Sequence, residues 1–141
     1  MKNIYTYSGQ PALRDLTVAC LLKNKSAGVR MTQVTAFDAE EAAAAASQKI
    51  DTLTIDSTTT SDIRAAAPNI FITAAQTMRQ YVTEDEAHSG AIDAMVNGAD
   101  AIYTPRGLGN IERICPCPKT NWTSSKKDSI NYSRYTSKQW L

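Results

Sequence analysis

The sequence predicts an α/β fold built from parallel β/α units. Three observations carry that prediction. Short β-rich runs at 29–36, 52–55, 69–74 and 101–104 alternate with helix-patterned stretches at 39–48 and 84–97. Asp38 and Thr83 stand before those two stretches, each with a glutamate three residues on (Glu41, Glu86), the spacing of a capping box. The composition, 43% hydrophobic and 21% charged, is that of an ordinary soluble domain. Strands that alternate with helices pair in parallel, with right-handed crossovers.

The elements follow in order. Pro11 opens a helix over 11–23, with Leu13, Leu16, Ala19 or Cys20, and Leu22 or Lys23 along one stripe. Gly28 stops it. Val29, Met31, Val34 and Thr35 mark the first strand, which ends at Phe37-Asp38. Asp38 caps the next helix, whose five consecutive alanines favour helix and allow close packing. Residues 52–55 form the second strand, ending at Asp56-Ser57. A Thr/Ser linker at 58–61 and one helical turn at 62–67 lead to Pro68. Ile70, Phe71 and Ile72 mark the third strand. Thr83 caps the helix 84–97, whose stripe holds Ala87, Ala91, Ala94 and Met95, and Gly98 closes it. The fourth strand is 101–104, and a further helix starts at 110–114.

The charge divides the chain. Residues 1–114 carry ten Lys/Arg and thirteen Asp/Glu, a net −3. Residues 115–141 carry five Lys/Arg and one Asp, a net +4, with both tryptophans and two of six tyrosines. We therefore expect a β/α body over 1–114 and a basic, aromatic tail over 115–141. The whole-chain charge is +1, so no global field gathers nucleic acid. No apolar run suits a membrane span, and Met1 to Tyr7 does not resemble a secretory signal, so a cytoplasmic protein is expected. Three cysteines argue against a disulfide framework. Cys115-Pro116-Cys117-Pro118 lacks the four ligands of a structural zinc site. His88 reads as a surface residue, and Gly107-Leu108-Gly109 as a plain loop without the lysine of a phosphate-binding fingerprint.

In parallel α/β sheets, chemistry collects beyond the carboxyl ends of the strands. That rule puts Asp38, Asp56-Ser57, Ala75-Gln76 and Pro105-Arg106 on one rim. The capping-box position accounts for Asp38. Asp56 has no such helix in the sequence pattern, which singles it out.

Several segments, in order, resemble 3-methyl-2-oxobutanoate (ketopantoate) hydroxymethyltransferase. They are Thr35-Ala36-Phe37-Asp38 before an Ala-rich helix, the strand ending Asp56-Ser57, Ala67-Pro68-Asn69-Ile70, Tyr81 before Thr83-Glu84, and Asn97-Gly98-Ala99-Asp100-Ala101. The matching stretch is about 12–114. The resemblance implies a partial (half) TIM-type barrel, a divalent metal such as Mg²⁺, and a small 2-oxo acid that attacks a one-carbon unit from methylenetetrahydrofolate in pantothenate biosynthesis. It makes Asp56 a metal-associated and substrate-binding residue, and Ser57 a substrate-contacting one. A hard cation held by carboxylates would stabilise the enolate.

The chain departs from that family at definite places. The second metal-site aspartate falls on Ala75, and the family's lysine and glutamate fall on Tyr103-Thr104-Pro105. The likeness stops after Ile114, before the catalytic glutamate, so no catalytic residue is assigned. Two readings follow: a divergent hydroxymethyltransferase, or a non-catalytic truncated remnant or small binding or interaction protein. Four strands in a half barrel also leave two edges and one face bare, so a homo-oligomer is expected, or the aromatic tail covers the face.

Overall fold

Two ladders organise the chain, a two-stranded antiparallel hairpin and a four-stranded parallel sheet. The computed structural model describes residues 2–7, 9–105, 107 and 114. The hairpin joins β1 (Lys2–Tyr5) to β2 (Pro11–Arg14), in register from Lys2↔Arg14 to Tyr5↔Pro11. The chain then forms α1 (Val18–Ser26), β3 (Gln33–Thr35), α2 (Ala39–Ser47) and β4 (Thr52–Asp56). A 3₁₀ turn (Ser57–Thr59) leads into α3 (Thr60–Ala66), followed by β5 (Phe71–Ala75), α4 (Glu84–Val96) and β6 (Ala101–Tyr103). The sheet order is β3-β4-β5-β6, all parallel. This is the mixed α/β arrangement that the alternating pattern predicts.

Three expectations need correction. The helix expected over 11–23 is a strand followed by a shorter helix. Residues 2–5 give residues 11–14 a ladder partner, and Arg14 is drawn into burial, so tertiary pairing overrides the local period. Pro11 suits this place, since a first strand residue can dispense with its N–H. Thr17 is the true N-cap, accepting from Cys20 N. The strand over 29–36 shrinks to Gln33–Thr35, the residues that face Thr52, Leu53 and Thr54. The linker at 58–61 is helical, because local oxygens satisfy its first turns. Asp56 Oδ1 accepts from Thr58 N at 2.9 Å, and Thr60 Oγ1 donates to Ser57 O at 2.8 Å. The helix expected at 110–114, apart from Ile114, and the tail at 115–141 lie outside the described residues.

The sheet has two unlike faces. Leu53, Ile55, Ile72 and Ala74 pack with Ala42, Ile63, Ala67, Ala94 and Ala99 into one core. Leu53, Ile55, Ile63 and Ile72 are at most 1% exposed, and burying each contributes about 1.5–3 kcal/mol. Alanines on α2 and α4 let the helices sit close to this face. The opposite face, by strand alternation, carries Gln33 and Thr35, then Thr52, Thr54 and Asp56, then Phe71, Thr73 and Ala75, then Ala101 and Tyr103. Its centre is a row of small β-branched residues, Thr35, Thr54 and Thr73 in register. Among the described residues β3 and β6 are its edges.

A buried ionic group ties the lower end of the sheet together. Asp100 accepts from Arg14 Nε at 2.8 Å, Arg64 Nη2 at 2.7 Å and the Ile72 N–H at 2.9 Å. Arg64 also donates to the carbonyls of Gly98, Ala67, Pro68 and Ile70. Gly98 closes α4 with φ at +104°, and an added Cβ there would press on the Arg64 side chain. No helix among the described residues is long and apolar enough to cross a membrane.

Candidate functional site

Asp56 is the last residue of β4, and Ser57 opens the turn that follows, so both lie at the carboxyl end of a parallel strand. Their side chains go to different neighbours. Alternation puts Asp56 on the open face beside Ala75, its register partner on β5. Asp56 Oδ1 takes both the Thr58 N–H at 2.9 Å and the Thr58 hydroxyl at 2.6 Å. Asp56 therefore does cap a helix, the 3₁₀ turn. The sequence conceals this, because three threonines in a row resemble a linker.

Ser57 is buried, and its Oγ lies 3.0 Å from the Tyr81 hydroxyl. The Tyr81 ring rests on Gly90 of α4, where an added Cβ would stand 2.6 Å from the ring's Cζ. Gln76 follows β5 on the same rim and is also buried. Its amide nitrogen donates to Ala87 O of α4 at 2.6 Å, while its Oε1 is buried with no partner among the described residues. The Ser57–Tyr81 pair and Gln76 thus each meet the first half of α4, at Gly90 and at Ala87. Sequence reasoning placed Gln76 on the rim without a role and used Tyr81 only as a mark of resemblance. The signal for Tyr81 was a glycine at position 90, inside an otherwise good helix.

The other candidates serve the fold. Asp38 caps α2, accepting from Glu41 N at 2.8 Å, and Glu41 reaches back to the Phe37 N–H at 2.7 Å. Thr83 and Glu86 make the full capping box of α4. His88 is half-buried on α4. Cys20 Sγ sits 3.2 Å from Thr17 Oγ1. Arg106, Cys115 and Cys117 lie outside the described residues.

A resident Mg²⁺ takes about six oxygens with strong local negative charge. Asp56 brings one carboxylate, half engaged by Thr58, and Ala75 beside it brings no side-chain oxygen. Among the described residues, no three His, Cys, Asp or Glu side chains are grouped to hold a metal ion. The described donor set does not fit that ion, and the chemistry available at this rim is that of hydroxyls, one amide and one carboxylate. Compared with known proteins, the chain matches no family model and no curated protein.

Proposed function

We propose that this chain is a cytoplasmic, half-TIM-barrel relative of the 3-methyl-2-oxobutanoate hydroxymethyltransferases. In this reading it binds a small 2-oxo acid at the Asp56–Ser57 rim without transferring a one-carbon unit. The observation that carries the reading is the pairing of buried Ser57 with the half-buried Tyr81 hydroxyl at the carboxyl end of β4. The two hydroxyls are donors suited to a carboxylate or keto oxygen. The negative charge of Asp56 disfavours a second carboxylate beside it, which directs the acid's carboxylate to the Tyr81 side. Transfer from methylenetetrahydrofolate requires an enolate, and an enolate requires a cation or a base. Ala75 and Tyr103-Thr104-Pro105 stand where the resemblance would put those groups.

The test is a titration of the full chain with 3-methyl-2-oxobutanoate, followed by NMR, beside an assay of C3 proton exchange with and without Mg²⁺. We expect saturable binding that weakens in Tyr81→Phe, and exchange at the background rate. Absence of binding overturns the reading. Mg²⁺-dependent exchange that disappears in Asp56→Ala overturns its non-catalytic part and makes the chain an active transferase.

A further inference from the structure

A parallel sheet is ordinarily covered on both faces; here the second face is buried at its amino end, at Thr52 and Phe71, and among the described residues it is only partly covered from Thr54 and Thr73 towards the carboxyl end. Among the described residues no further strand pairs with β3 or β6 at its edges. Thr32 and Ala36 bond inward to β4, through Thr52 N→Thr32 O and Ala36 N→Thr54 O. The alternation of a parallel strand therefore turns the Gln33 and Thr35 peptide groups outward. On the far edge Tyr103 O accepts from Gln76 N, so the Ile102 peptide group faces outward. Among the described residues each edge is blunted only by its shortness, three residues. The two strands read Gln-Val-Thr and Ala-Ile-Tyr, with no lysine, proline or other charge. Large apolar side chains stand free at both edges, Val34 and Phe37 (76% exposed) by β3 and Tyr103 (49% exposed) at β6.

From these features we propose that two copies of this chain associate edge to edge. β3 of each copy runs parallel to β6 of the other, about a twofold axis along the strands. Both seams are then alike, and no edge of the described sheet is left over. Each copy brings four strands, and closure at roughly eight is the size at which side chains fill a barrel's interior. The threonine row becomes part of that interior. Phe37 of one copy approaches Tyr103 of the other at the carboxyl mouth. The inference does not rest on oxo-acid binding, since association is read without ligand.

Sedimentation of the full chain over a wide concentration range tests it. We expect a reversible dimer. Thr35→Pro and Ile102→Pro each remove an outward N–H from one seam, and each should raise the dimer dissociation constant roughly tenfold or more. Gln33→Lys with Thr35→Lys serves where proline disturbs folding, because both residues are exposed. Circular dichroism checks that each variant is folded. A wild-type monomer at every concentration overturns the proposal, and so does a dimer that none of these substitutions weakens. Both tryptophans, Trp122 and Trp140, lie in the tail. A monomer with buried tryptophan emission would therefore show the tail folded out of water within one chain and would also overturn the proposal.

Discussion

The hydroxyls of Ser57 and Tyr81 lie 3.0 Å apart, and the tyrosine ring reaches that position only because residue 90 has no side chain. Gly90→Ala must push the ring away, and we expect a loss of about 1–3 kcal/mol from overpacking. Tyr81→Phe keeps the ring and leaves Ser57 without its partner, at about 1 kcal/mol. Urea denaturation of both variants checks the order. A larger loss in Tyr81→Phe would show that the ring is not seated on Gly90.

Asp56 separates a capping role from a charge role. Asp56→Asn keeps an oxygen for the Thr58 N–H and removes the charge, so stability should stay within about 0.5 kcal/mol of wild type. Asp56→Ala removes the cap and should cost about 1 kcal/mol. Thermal unfolding of the pair is the measurement. Equal losses would mean that the carboxylate charge itself holds the turn.

Among the described residues Asp100 pairs with two arginines, the buried Arg14 and the half-buried Arg64. Asp100→Ala leaves both guanidinium groups unpaired and should cost about 3–5 kcal/mol in chemical denaturation. The pH dependence has a definite sign. Burial lowers the Arg64 pKa from its ordinary value to about 10, against the raising pull of Asp100. Above about pH 10 the unfolded chain holds this proton more tightly than the folded one, so the Arg64 contribution rises with pH until the unfolded chain also loses it. Below that range it is flat. The stability difference between wild type and Arg64→Gln should therefore be constant from about pH 6 to about pH 9. A slope in that window would contradict the assignment.

The two capped helices should respond in parallel. Thr83→Ala opens the capping box of α4, and Asp38→Ala removes the N-cap of α2; each should cost about 1 kcal/mol. Hydrogen exchange should accelerate first at Glu86 N and Glu41 N, the amides these side chains accept from. Unchanged exchange there would show that the caps are ornamental.

The parts of the fold that were legible in the sequence are those fixed by local chemistry. Asp38 with Glu41 and Thr83 with Glu86 announce α2 and α4, and Leu53 with Ile55 and Ile70 with Ile72 announce buried strands. Elements that depend on distant partners were not legible. Pro11 to Arg14 has helical spacing on paper, yet residues 2–5 make it a strand. Ser57 to Thr60 looks unstructured until Asp56 and the hydroxyls are seen to satisfy its backbone. At the site, Asp56 and Ser57 were correctly placed on the strand end, but adjacency in sequence hid their divergence to separate faces. The Ser57–Tyr81 contact spans 24 residues and has no periodic trace.

The Arg14–Asp100 pair has a consequence for how the protein is made. The two residues stand 86 positions apart. A ribosome releases the hairpin early, but Arg14 has no counterion until nearly the whole sheet has left the exit tunnel. Until then the nascent hairpin is a docking piece without its anchor, and the arrival of Asp100 just before β6 is the event that locks the hairpin to the sheet.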